Sequence, residues 1–308
     1  MTGFIPCYVK LYHNGELCKR VGKLYAILES CELCPRKCHV NRLKGEKGYC
    51  HSARELVVSS FGPHYGEEPE LVGQHGSGTI FLTNCNLLCR YCQNYEISHR
   101  GEGDTVTEET AARYMLKLQN RGCHNVNLVT PTHFAPQLVK AIEIAAGKGL
   151  NIPIVWNCGG YEHVETIRLL DGIVDIYMPD MKYSQREPAE KYSGAPDYFD
   201  RCQKAVAEMH SQVGDLAVDE RGIARRGLLV RHLVLPDNLA GSEAILRFIA
   251  SLSTDTYVNI MEQYRPCGEA YRYPEINRRP TLAEYLRVIE TARSLGLHRG
   301  FTAVIPYL

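Results

Sequence analysis

The chain has 308 residues, with 35 basic and 35 acidic side chains and 13 cysteines. That length suits one barrel-sized domain plus a modest extension, enough to bury a large core. Balanced charge leaves no global field drawing the protein toward nucleic acid, and no apolar run nears the roughly 20 residues that span a bilayer.

The opening Met1-Thr-Gly-Phe-Ile-Pro-Cys7 lacks the basic segment and apolar core of a secretory signal. Most cysteines fall in two tight clusters rather than at dispersed intervals. That pattern favours metal binding in a reducing compartment over disulfides, so a cytoplasmic location is expected, with no nucleic-acid or membrane partner. Residues 1–75 are rich in Cys, Gly, His and charge and read as a small Cys-rich, metal-binding N-terminal extension. Within it Cys31, Cys34, Cys38 and Cys50 are spaced C-x2-C-x3-C-x11-C. Four thiolates satisfy a closed zinc or iron site, or every iron of an auxiliary [4Fe–4S] cluster. Sulfur ligands suit all three, so the metal of this second site stays open between iron–sulfur, iron and zinc.

From about residue 78 the pattern becomes an alternation of strand-like and helix-like segments, and residues 76–308 read as one α/β unit. The expected strands are Thr79–Thr83, Asn125–Thr130, Ile152–Trp156, Ile173–Met178, Leu228–Leu235 and Thr256–Met261. The expected helices are Thr107–Arg121, Pro136–Gly147, Val164–Leu170, Pro188–Val213, Ser242–Leu252 and Leu282–Leu295. The first of these helices opens Thr-Glu-Glu-Thr, a capped and acidic first turn. Six βα units fit a partial (β/α)6 barrel; an open flavodoxin-like sheet is the alternative.

Directly after the first expected strand comes Cys85-Asn-Leu-Leu-Cys89-Arg-Tyr91-Cys92. Three thiolates can hold three irons of a [4Fe–4S] cluster and leave the fourth iron open as a chemical site. Half of a zinc knuckle is the competing reading, but zinc wants four ligands and the next histidine is His99. Barrel ligand sites collect at strand carboxyl ends, and polar residues gather at each expected one. Gln93 and Asn94 follow the triplet, Thr130-Pro-Thr132-His133 the second strand and Asn157-Cys158-Gly-Gly160 the third. Asp180-Met-Lys182 follows the fourth, Arg231 and His232 lie on the fifth, and Tyr264 follows the sixth. Cys158 is a rim thiol able to shuttle a hydrogen atom.

The C-x3-C-x2-C spacing with Tyr91 before the third cysteine resembles the signature of the radical SAM superfamily. That resemblance implies a TIM-like partial barrel, a [4Fe–4S] cluster on Cys85, Cys89 and Cys92, and S-adenosylmethionine bound at the open iron. It also implies reductive cleavage to a 5′-deoxyadenosyl radical, with a reductant such as flavodoxin or ferredoxin. Asp180-x-Lys182 and the Arg231-His232 strand ending in Leu235-Pro236 resemble the pyruvate formate-lyase activating enzyme group. There the Asp-x-Lys element lies near S-adenosylmethionine and a basic residue of the fifth strand joins the same pocket. Asn157 before Gly159-Gly160 resembles another element of that pocket. The group's Gly-Gly-Glu element, which holds the ammonium, is replaced by Thr130-Pro131-Thr132-His133.

From about residue 30 to residue 290 the chain resembles the PflX-type branch of this group. Cys34-Pro-Arg-Lys-Cys38, Cys92-Gln-Asn-Tyr-Glu96, Trp156-Asn-Cys-Gly-Gly160 and Gln263-Tyr-Arg-Pro266 carry that resemblance. The cofactor contacts it implies are Tyr91, Asn94, Thr130, Thr132, His133, Asn157, Asp180, Lys182, Arg231 and His232. The expected function is a radical SAM enzyme taking hydrogen from a small molecule or peptide, or activating a glycyl radical enzyme. A non-catalytic electron carrier or sensor with two clusters is the alternative. A zinc-dependent nucleic-acid binder conflicts with zero net charge.

Overall fold

The computed structural model describes residues 4–301. Its nine strands are β1 Leu56–His64, β2 Ser77–Leu82, β3 Asp104–Val106, β4 Val126–Val129, β5 Ile154–Cys158, β6 Ile176–Pro179, β7 Ala217–Val218, β8 Ala224–Leu233 and β9 Tyr257–Met261. They form a sheet ordered β3-β1-β2-β4-β5-β6-β8-β7, with β9 also on β8. Strands β2, β4, β5, β6, β8 and β9 are parallel neighbours in chain order. A flavodoxin-like sheet would reverse that order at a switch point. The unreversed succession is a partial (β/α)6 barrel. Each of the six expected strands appears, with ends shifted by a few residues.

The connecting helices follow the sequence with one exception. Thr107 caps Glu108–Asn120 by accepting the Thr110 amide at 3.2 Å. Thr281 and Glu284 form a reciprocal capping box at the start of Leu282–Ser294. The single helix expected over Pro188–Val213 is instead two, Arg186–Ser193 and Tyr198–Val213. Gly194 ends the first in a left-handed conformation (φ 55°), and Pro196 prevents continuation.

Residues 4–75 share both sheet and core with the barrel. Strand β1 pairs antiparallel with β2 from Val58–Leu82 to His64–Ser77, across the expected 75/76 boundary. Helices Cys7–His13 and Glu16–Ala26 bury Tyr8, Leu17 and Leu24 in the same cluster as Leu138, Ala141 and Ile142 of helix Ala135–Ala146. Between β1 and β2 the short helix Pro69–Val72 places Leu71 against Val155, Ile176, Met178, Leu229 and Tyr257. Those partners come from the amino-terminal halves and middles of their strands, so Leu71 plugs the barrel on the side away from the cysteine triplet. Tyr257 donates to Glu70 at 2.6 Å and Asn259 to Glu68 at 2.8 Å, pinning the plug to β9.

Candidate active site

Strand β2 ends at Leu82 and delivers the chain into the triplet loop. Asn84 and Leu88 hold positive φ there, 64° and 50°. For a γ-branched leucine that conformation is costly and persists only where surrounding contacts impose it. Each sulfur has a hydrogen-bond donor. The Leu87 amide points at Cys85 Sγ (3.4 Å), Ser193 Oγ at Cys89 Sγ (3.1 Å) and Ser98 Oγ at Cys92 Sγ (3.2 Å). Such donors favour sulfur that carries negative charge. Burial pushes the Cys85 thiol up to about 12, with Cys89 adding to the effect. The free thiol is therefore protonated, and metal coordination is what would draw the proton off.

The three cysteines line a cavity of about 400 Å³ together with Tyr91, Asn94, Thr130 and Asn157. Asp180, Lys182 and Arg231 complete its wall. Asp180 accepts from Lys182 Nζ at 2.5 Å and from Arg231 Nε at 2.8 Å. Arg231 Nη2 also donates to Asn157 Oδ1 at 2.7 Å. Burial pushes the Asp180 carboxyl up, but the charges of Arg231 and Lys182 outweigh it and hold the group below its ordinary value. The wall thus offers two fixed cations over one ionised carboxylate, with amide and hydroxyl groups alongside. That set suits a ligand bearing a carboxylate and hydroxyls. Thr130 holds φ 60°, a genuine outlier for a β-branched residue, at the point where its amide bonds the Asn157 carbonyl (2.8 Å).

Three expected cofactor contacts lie elsewhere, and each is corrected by packing. His232 is fully buried, with Nδ1 on the Met181 carbonyl (2.7 Å) and Nε2 on Ser242 Oγ (2.8 Å). Successive strand side chains face opposite ways, so Arg231 toward the cavity puts His232 toward helix Ser242–Leu252. Burial pulls its pKa down to about 4, and the ring is neutral. His133 turns Nε2 to the Thr83 carbonyl (2.8 Å) behind the wall, and burial and Arg42 pull it to about 3. The Thr132 hydroxyl donates to Glu162 Oε1 at 2.6 Å, and that buried carboxyl leaves Oε2 without a partner.

Sequence reasoning missed Glu67, which reaches the cavity from the segment after β1 and stands 3.4 Å from Arg231 Nη1. Burial pushes its carboxyl up and Arg231 offsets this only in part. The acidic pair Glu67-Glu68 between Gly66 and Pro69 was its one local signal. Cys158 also lines the cavity. In the other cysteine set, Cys31, Cys34 and Cys50 are buried. Among the described residues no three His, Cys, Asp or Glu side chains already stand around a metal position. That applies to the triplet as much as to the first set.

Residues 79–215 match the family model of the radical SAM superfamily. The chain carries a radical SAM superfamily domain over these residues, and that family implies a [4Fe–4S] cluster and S-adenosylmethionine as cofactors. Three donor-supported thiols on a loop at the cavity wall fit the cluster. The cations and amides beside them fit the amino acid and nucleoside parts of S-adenosylmethionine.

Over 280 residues the chain is 34% identical to Uncharacterized protein MJ0674 of Methanocaldococcus jannaschii, covering 88% of this chain and 76% of that one. Uncharacterized protein MJ0808 of the same organism is 22% identical over 294 residues, covering 89% and 79%. The solved structure of methylornithine synthase (PylB) is similar with a TM-score of 0.44 and 16% identity, over 68% of this chain and 60% of that one. Among the described residues no helix is long and apolar enough to cross a membrane.

Proposed function

We propose that this protein binds S-adenosylmethionine in the cavity beside Cys85, Cys89 and Cys92 and abstracts hydrogen from a substrate held there. Its motifs resemble those of the pyruvate formate-lyase activating enzyme-like proteins of the PflX-type branch. One observation carries the reading: three loop thiols and the Asp180–Lys182–Arg231–Asn157 network line the same cavity. When bound, the cluster and S-adenosylmethionine supply one-electron sulfonium cleavage to a 5′-deoxyadenosyl radical. The chain's own residues bind and orient. Cys85, Cys89 and Cys92 hold three irons. Arg231 and Lys182 take a carboxylate, while Asn157 and Asp180 take hydroxyl or amine hydrogens. Leu71 and its apolar partners close the barrel below and exclude water. With the Gly-Gly-Glu element missing, Glu67 is the cavity carboxylate least committed to a cation and suits the ammonium.

A reductant such as flavodoxin or ferredoxin would supply the electron, in the cytoplasm. The hydrogen donor is a small molecule, a peptide or a backbone glycine of a partner enzyme, and a glycyl doublet in the EPR spectrum on adding that partner would select the last. The second metal expected on the first cysteine set is a separate proposal. The test is anaerobic incubation of iron- and sulfide-reconstituted protein with S-adenosylmethionine and dithionite. Accumulating 5′-deoxyadenosine that disappears in Cys89→Ala supports the reading. Its absence from wild type favours the electron-carrier alternative.

A further inference from the structure

We infer that Cys31, Cys34, Cys38 and Cys50 hold a metal–thiolate centre of their own, and that Arg42 is the buried cation that balances it. Arg42 is wholly inaccessible to solvent. Its Nε and Nη2 both donate to the Ala53 carbonyl, at 3.0 and 2.6 Å, and Nη1 donates to the His133 carbonyl at 2.6 Å. Every one of these partners is neutral. The ion pairs among the described residues leave Arg42 out, and the nearest group able to become an anion is Cys31 Sγ, 3.9 Å from Nη1. A guanidinium keeps its charge inside a protein, and a buried charge without a counter-charge is strongly unfavourable. The missing anion is supplied if the neighbouring thiols are thiolates. Coordination does that: each M–S bond that forms sends one proton to solvent, and four thiolates around a divalent ion leave a net negative centre.

The backbone already draws together the segments that carry Cys31, Cys38 and Cys50. The Cys31 amide bonds the Val40 carbonyl at 3.0 Å and the His39 amide bonds the Cys31 carbonyl at 3.1 Å, folding Cys31 against the Cys38 segment. The Tyr49 amide then points at Cys38 Sγ from 3.3 Å, bringing in the Cys50 segment. A Cβ on Gly48 would lie 2.9 Å from Cys38 Sγ, so only glycine permits that approach. Lys37, His39 and His51, flanking Cys38 and Cys50, all hold positive φ. The ligand class is a thiophilic ion, Zn²⁺ or Fe²⁺, or an iron–sulfur cluster, all of which bind through the same thiolates.

This centre also braces the other loop. Arg36, between Cys34 and Cys38, donates to the Asn86 carbonyl at 2.9 Å inside the triplet loop. Asn84 donates to Ser52 Oγ at 3.0 Å, two residues after Cys50. Neither contact requires S-adenosylmethionine, so the centre stands or falls separately from the proposed reaction.

The test uses the full chain with Cys85, Cys89 and Cys92 changed to alanine, purified anaerobically and confirmed folded by circular dichroism. Iron, zinc and acid-labile sulfide are then counted. Retention of one zinc or iron without sulfide assigns a single ion, and retention of iron with matching sulfide assigns a cluster. Loss of either on further changing Cys31 and Cys34 to alanine supports the centre. Folded triplet-free protein that holds no metal after loading overturns it, whatever wild type does with S-adenosylmethionine. For Arg42, a chelator competition compares Arg42→Lys and Arg42→Met. Arg42→Met should lose metal about 10- to 100-fold more readily, as loss of outer-shell partners does, with Arg42→Lys close to wild type. Equal retention in all three removes Arg42 from the centre. Because Arg42→Met also removes the bonds to the Ala53 and His133 carbonyls, it should lower the melting temperature in both forms, but more in metal-loaded than in metal-free protein; an equal drop in both would leave Arg42 a packing and hydrogen-bonding role alone.

Discussion

The loop bearing Cys85, Cys89 and Cys92 leaves β2 with its sulfurs on a cavity wall, whereas Cys31, Cys34 and Cys50 are buried, Cys31 beside Arg42. Both loops hold non-glycine residues at positive φ next to cysteines, and both offer hydrogen-bond donors to sulfur. They differ in number and in what they face. Three thiolates at a cavity leave a coordination position for a ligand. Four thiolates around one metal centre leave none and serve to hold structure. If both proposals hold, the seven cysteines separate a site of chemistry from a staple that positions it.

The largest expected effect breaks the comparison on its open side. Changing Cys85, Cys89 and Cys92 to alanine should reduce 5′-deoxyadenosine formation to that of a protein-free control, measured by chromatography, while metal on the first set persists. Next, Asp180→Ala leaves Lys182 without its carboxylate and Arg231 with Glu67 alone, both half-buried, and should cost about 1–3 kcal/mol by urea denaturation. An unchanged midpoint would mean that the cavity wall is more solvated than its burial indicates.

Glu162 sharpens the boundary between the regions, because burial pushes up the Cys34 and Cys158 thiols and the Glu162 charge adds to both. Burial pushes its own carboxyl up to about 7, against the bond from Thr132. A raised folded value means that the stabilising protonated form is favoured below the unfolded pKa and is lost as pH rises through about 7. Glu162→Gln should therefore be more stable than wild type at pH 8, by up to about 3 kcal/mol, and nearly equal to it at pH 4.5. Thermal melts at the two pH values check this, and an equal difference at both would contradict it.

The smallest effect falls on the link between the loops. Arg36 donates to the Asn86 and Ser193 carbonyls and stacks on Tyr49, 3.7 Å from the ring centroid. Arg36→Ala should cost about 2 kcal/mol and speed hydrogen exchange at residues 84–92. Unaltered exchange there would show that the first set does not brace the second.

The triplet, its place after the first parallel strand and most of the cavity wall were legible because they are local: a spacing, a strand end, a polar run. Strand β1 was not, because Gly62 and Pro63 argue against a strand and only its pairing with β2 reveals it. Helix Glu16–Ala26 shows Leu17, Val21 and Leu24 at helical spacing, a pattern obscured by the charge and cysteine around it. His232 was misplaced by naming both members of an Arg-His pair on one strand, when alternation allows only one to face the cavity. Glu67 and Arg42 were out of reach for a different reason. Their significance lies in contacts 164 and 91 residues away, with Arg231 and the His133 carbonyl.

The most direct measurement of the central claim is EPR of dithionite-reduced protein, reconstituted with Cys31, Cys34, Cys38 and Cys50 changed to alanine so that only the triplet can carry a cluster. Adding S-adenosylmethionine should shift the g values of the reduced cluster, as expected when a ligand takes an open iron. A cluster signal that S-adenosylmethionine leaves unchanged would contradict an open iron at Cys85, Cys89 and Cys92.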